Sequence, residues 1–133
     1  MTAVSENRLV SGTDFICIAT RDIEAARKFY EEVLGLEPAN LWQRGGTPPV
    51  GAEFETGNLT LALVDSDALG IGFQANNHPI ALHVDDFEGA KATLESHGVE
   101  FKGETIDSGV CWQAFFEDPD GNAIGIHHRY APR

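Results

Sequence analysis

Two stretches of this chain repeat each other at an offset of 64 residues, and that duplication constrains the fold more than any other feature. Asp22-Ile23-Glu24-Ala25-Ala26-Arg27 matches Asp86-Phe87-Glu88-Gly89-Ala90-Lys91, and at the same offset Glu53, Gly57 and Asn58 match Glu117, Gly121 and Asn122. A repeat of that length inside 133 residues leaves two halves, each too small to bury a comfortable core alone. A single domain over residues 1–133 is therefore expected, with modules at about 13–65 and 78–130 and a linker at 66–77.

Local patterning gives both halves the same order. Asp14 to Thr20 is short and rich in β-branched residues, and Arg21 to Gly35 then switches to helical spacing with Ile23, Ala26, Phe29, Tyr30, Val33 and Leu34 apolar. Gly35 closes that helix. Strands are expected at Glu37 to Gln43, Val50 to Thr56 and Asn58 to Val64, the last two joined at the Gly57-Asn58 turn. The second half reads as a strand from Pro79 to Val84 and a helix from about Asp86 to Gly98, with Asp85 and Glu88 at capping-box spacing. Strands near Glu100 to Thr105, Val110 to Glu117 and Asn122 to Arg129 follow, the last turn being Asp118-Pro119-Asp120-Gly121. The fold class is α+β, two βαβββ modules packed as a pseudo-twofold pair around a cleft.

One helix per module covers only one face of its sheet, so the other face is free to line that cleft. Ile16 and Ile18 are the larger aliphatics of the first strand and belong under the helix, which turns Phe15, Cys17 and Ala19 into the cleft. The same parity places Ile80, Leu82 and Val84 under the second helix and Pro79, Ala81 and His83 in the cleft.

The net charge of −12 argues against nucleic acid and against anionic membrane surfaces, because no basic patch offsets phosphate repulsion. A neutral, cationic or metal-chelated small molecule is the expected partner. No apolar run approaches the roughly 18 residues of a membrane span, and Met1 to Val10 lacks a signal-peptide pattern, so a cytoplasmic location is expected. Cys17 and Cys111 are then expected to be buried free thiols.

The paired modules, the Asp-Ile-Glu-x-x-x-x-Phe-Tyr-x-x-x-Leu-Gly-Leu run at Asp22 to Leu36 and the Asp-Pro-Asp-Gly-Asn turn at Asp118 to Asn122 resemble the vicinal oxygen chelate superfamily. That superfamily includes glyoxalase I, extradiol dioxygenases and bleomycin-resistance proteins. The resemblance covers Asp14 to Arg129 and implies homodimers. It also implies, for the enzymes, a divalent metal held in the cleft by His, Glu or Gln from the first and last strands of each module. Such a cation polarises a carbonyl or stabilises an enediolate while leaving coordination positions open for substrate. Counting from the matched motifs, and using the repeat as a ruler, the four ligand positions fall on Phe15, Leu61, Pro79 and Gly125. None has a side chain that coordinates a metal.

The leading reading is accordingly a small-molecule-binding protein of this fold with no cofactor, sequestering a drug or an apolar or cationic metabolite as bleomycin-resistance members do. Its cleft residues are Phe15, Cys17, Trp42, Leu61, Leu63, Pro79, Ala81, His83, Trp112, Gly125 and His127, with the two tryptophans supplying flat apolar area. The alternative is a glyoxalase- or dioxygenase-like enzyme with a relocated divalent metal or an acid-base pair at His83 and His127, the catalytic candidates. Asp14 and His78 enter the cleft only if both strands slip by one residue. Glu53 and Glu117 are paired by the repeat beside turns. His97 suits a helix C-terminus and His128 the surface.

Overall fold

A computed structural model describes residues 8–133, so most of Met1 to Val10 lies outside the described residues. The first module comprises β1 (Phe15–Thr20), α1 (Ile23–Lys28), β2 (Glu37–Trp42), β3 (Gly51–Glu55) and β4 (Thr60–Asp65). The second comprises β5 (Ile80–His83), α2 (Phe87–Ser96), β6 (Lys102–Asp107), β7 (Cys111–Glu117) and β8 (Ala123–Arg129). Each forms a four-stranded sheet, in the orders β1-β4-β3-β2 and β5-β8-β7-β6, with β1 parallel to β4 and β5 parallel to β8. The two βαβββ modules expected from the repeat are present.

Both helices start on a repeated aspartate. The Asp22 carboxylate accepts from Ala25 N at 3.1 Å and the Asp86 carboxylate from Gly89 N at 3.0 Å, which satisfies an otherwise unpaired first-turn amide in each. The cap of α2 is thus Asp86, and Asp85, which the sequence spacing favoured, instead hydrogen-bonds with His83 at 2.9 Å. A Cβ at Gly89 would meet the Asp86 carboxylate in its present rotamer, whereas the equivalent cap of α1 accommodates the methyl group of Ala25. Beyond Lys28 the first helix widens into a π turn over Phe29–Val33, closed by Leu34 N donating to Phe29 O at 3.0 Å, and ends at Gly35 with φ 70°.

The modules are joined on their helix-covered faces. One apolar core contains Ile18, Tyr30, Phe54, Leu61 and Leu63 from the first module and Phe87, Leu94, Ala114, Phe116 and Ile126 from the second. At its centre Tyr30, fully buried in α1's π extension, donates to Asp118 Oδ2 at 2.7 Å. Asn122 donates to the same carboxylate at 2.9 Å and to Ala19 O at 2.8 Å, while Thr20 Oγ1 donates to Asp120 Oδ2 at 2.5 Å. The Asp-Pro-Asp-Gly-Asn turn therefore clasps the second module to the end of β1, and its buried polar atoms find partners across the junction. Burial and the neighbouring Asp118 carboxylate push the Tyr30 phenol far above its ordinary pKa, so it remains a donor.

Candidate functional site

Strand pairing decides which side chains share the uncovered faces. In the first module Ile16 pairs with Leu61 and Ile18 with Leu63, whereas Phe15, Cys17 and Ala19 pair with Thr60, Ala62 and Val64. Leu61 and Leu63 consequently lie in the core, 1% and 0% exposed, and not in the cleft where the sequence reading put them. The ruler fails by one residue because the second module is two residues shorter between its first strand and β7, of which the β7–β8 turn at 118–122, one residue longer than the β3–β4 turn at 56–59, restores only one. Gly125 pairs with Ala81, the counterpart of Cys17, and is therefore equivalent to Ala62. The four positions are Phe15, Ala62, Pro79 and Gly125, still without a donor side chain.

The same registers overturn the Glu53–Glu117 pairing. Ala62 faces Glu53 and Gly125 faces Phe115, so Glu53 and Phe115 are the equivalent residues, and Glu117 instead lies 3.7 Å from Lys102 Nζ. Phe115 fills the space where a ligand-bearing side chain would project: a Cβ on Gly125 would come 2.8 Å from its Cδ1. On the first module Trp42 does the same to Gly51, whose Cβ would come 2.5 Å from Trp42 Cε3. An aromatic ring thus packs over a glycine on each face. These residues do not fit the metal that the resemblance implies. Among the described residues no group of three or more His, Cys, Asp or Glu is arranged to hold one.

The histidines are distributed differently from the sequence expectation. His83 and His127 are backbone neighbours, but the His83 ring stacks on His128, with centroids 6.1 Å apart, and pairs with exposed Asp85. His128 is half-buried rather than a free surface residue, because its Nδ1 hydrogen-bonds with Val84 O at 2.9 Å and its ring stacks on Trp112. Trp112 shares the parity of Ala114 and Phe116, packs against Phe87 at 5.9 Å and the core, and so leaves the cleft list. His97 hydrogen-bonds with Thr93 O at the end of α2, and His78 and Asp14 are exposed ahead of their strands.

What the first module does present is a cavity of about 530 Å³ over β1. Phe15, Cys17, Ala19, Trp42 and Val64 form its floor and walls, and the linker residues Leu69, Ile71, Gly72, Gln74 and Asn76 close it with Ser66 and Asn122. Ala81, His83, Gly125 and His127 are not in that wall, so the uncovered faces of the two modules do not meet in one cleft within the chain. This also corrects Cys17, which is exposed on the floor of that cavity; Cys111 is buried, with Ser108 Oγ at 3.0 Å. The linker contribution was missed from sequence, although Leu69 and Ile71, apolar residues in a Gly-rich connection, were its signal. Trp42 is held in place by its Nε1 donating to Glu53 Oε2 at 2.6 Å, and Asn40 Nδ2 donates to Oε1 at 3.4 Å. A half-buried carboxylate is thereby satisfied, and the indole offers its apolar face rather than its N–H.

Comparison with known proteins agrees with this architecture. The model of the glyoxalase/bleomycin resistance protein/dioxygenase superfamily matches residues 12–126, and the chain belongs to that superfamily. The structure is similar to TnmS3, an antibiotic-binding protein from Streptomyces sp. CB03234, at 26% identity and a TM-score of 0.74, covering 92% of this chain and 99% of that one. It shares its fold with a lactoylglutathione lyase from Agrobacterium tumefaciens, at 18% identity, a TM-score of 0.74 and coverage of 89% and 93%. A superfamily member from Sphaerobacter thermophilus is 22% identical with a TM-score of 0.76 over 90% and 98%. Among curated protein sequences none matches. Among the described residues no helix is long and apolar enough to cross a membrane.

Proposed function

We propose that the chain binds and sequesters an apolar small molecule in the cavity over β1, without a metal. The observation that carries this reading is the set of ligand positions, Phe15, Ala62, Pro79 and Gly125, none of which has a metal-binding side chain, with the Phe115 ring packed over Gly125 where one would project. The cavity volume lies in the range that takes a drug-sized ligand, and its wall offers aromatic and aliphatic surface with few polar groups. The likeness to TnmS3, an antibiotic-binding protein, supports an antibiotic-like ligand over a metabolic substrate.

A homodimer is part of the proposal. Phe15 is 52% and Ile71 61% exposed at the cavity, and Ala81 and His83 leave the corresponding face of the second module open. A second copy that laid its β5–β8 face over β1–β4 would cover both surfaces and make the cavity a closed cleft. The free thiols suit a reducing cytoplasm.

The test is titration with N-phenyl-1-naphthylamine, a neutral dye that brightens in apolar sites. Saturable binding that Trp42→Ala weakens about tenfold is expected, since a stacked aromatic wall contributes on the order of 1 kcal/mol. No saturable signal, or one indifferent to Trp42, contradicts the reading.

A further inference from the structure

Trp42 and Leu69 are walls of two cavities at once. On their far side a second space of about 590 Å³ opens beneath the loop that joins β2 to β3, lined by Leu41, Gln43, Arg44, Thr47, Pro48 and Val50. The chemistry of the two differs. The cavity over β1 has no basic side chain in its wall, whereas the loop cavity has Arg44.

Arg44 is the one basic residue in either cavity wall. The chain has 21 acidic and 9 basic residues, yet among the described residues no carboxylate pairs with Arg44. Glu53, on the neighbouring face, already accepts from Trp42 and Asn40. The loop around Arg44 is tied down: Thr47 N and Oγ1 both donate to Arg44 O, at 3.0 and 2.5 Å, and Gln43 Nε2 donates to Thr47 O at 2.7 Å. The backbone of Arg44 is fixed while its guanidinium keeps all its donors, the arrangement that suits a planar or tetrahedral anion.

We infer that the two cavities form one bipartite site, whose ligand lays a flat apolar body against Trp42 over β1 and directs a carboxylate or sulfonate past it to Arg44. The inference rests on the binding reading above and refines it. It reverses the expectation from net charge, because a local unpaired cation at close range outweighs a diffuse acidic surface that salt screens.

The experiment uses two dyes with the same anilinonaphthalene framework, neutral N-phenyl-1-naphthylamine and 1-anilinonaphthalene-8-sulfonate, titrated into wild type, Arg44→Gln and Arg44→Lys. Arg44→Gln is expected to weaken the sulfonate about tenfold, as loss of a charge-assisted hydrogen bond does, and to change the neutral dye less than twofold. Arg44→Lys retains part of the sulfonate affinity, because a point charge replaces a planar fork. If both dyes bind and Arg44→Gln affects them equally or not at all, the bipartite site is wrong and the apolar cavity stands. If the neutral dye does not bind wild type, the binding reading fails and takes this inference with it.

Discussion

The Phe115 ring lies over Gly125 so closely that even a methyl group there would come 2.8 Å from Cδ1. Gly125 is one of the positions at which metal-dependent relatives are expected to place a ligand, and its partner across the β7–β8 ladder is Phe115 itself. The absence of a donor is thus built into the packing of the sheet. Gly125→Ala should cost about 1–3 kcal/mol, the range for overfilling a packed site. The penalty should shrink when Phe115→Leu is present. A double-mutant cycle by denaturant unfolding measures that coupling, and additive effects would show that the contact is not what forbids a side chain.

The junction between modules should show itself in alkaline solution. Tyr30 is protonated in the folded state well beyond its ordinary value of 10.0, because of burial first and the Asp118 carboxylate second. Only the unfolded chain ionises this phenol near pH 10, so its contribution to stability is complete below that pH and declines above it. Tyr30→Phe removes the 2.7 Å bond to Asp118 and should lower stability at pH 7 by about 1–3 kcal/mol. It should also flatten the fall above pH 10, which unfolding curves from pH 7 to 11 would reveal.

An exposed pair gives a weaker signal at the acid end. Asp107 accepts from Tyr130 Oη at 2.6 Å and from Gly109 N at 2.9 Å, and these bonds, Tyr130's the larger, hold its carboxyl below the usual aspartate value. Its stabilisation is present above the ordinary carboxylate range and is lost as pH falls through the lowered value. In a proton-NMR titration Tyr130→Phe should raise the Asp107 midpoint, and an unmoved midpoint would exclude the bond as the cause.

Glu53 is expected to act through Trp42. Glu53→Gln keeps an acceptor for the indole N–H and should leave dye affinity within about twofold, whereas Glu53→Leu frees the ring and should weaken N-phenyl-1-naphthylamine severalfold while raising the mobility of Trp42. Tryptophan fluorescence anisotropy in a Trp112→Phe background reads that mobility. Equal behaviour of the two variants would remove Glu53 from any positioning role.

The module order, the helix faces and the orientation of β1 were legible because large aliphatics alternate there with Phe15, Cys17 and Ala19. The β4 face was not. Leu61, Ala62, Leu63 and Val64 are all apolar and all buried, so no periodicity distinguishes the faces, and a second module two residues shorter before β7 and one longer at the β7–β8 turn shifts the repeat by one without leaving a mark in either strand. Trp112 carries the same ambiguity, since a tryptophan suits core and cleft equally until the parity of Ala114 and Phe116 assigns it. The linker's part in the cavity depends on how residues 66–77 fold back over β1: Leu69 and Ile71 signal that the segment packs on something apolar, but not on which face.

The central claim is that packing has replaced the metal in this member of the superfamily. A thermal-melt series of the purified protein in Mn, Fe, Ni, Zn and EDTA addresses it directly, since a ligand that binds the folded state raises its melting temperature. The account predicts the same midpoint in every condition. A midpoint several degrees higher with one cation, abolished by His83→Ala or His127→Ala, would contradict it.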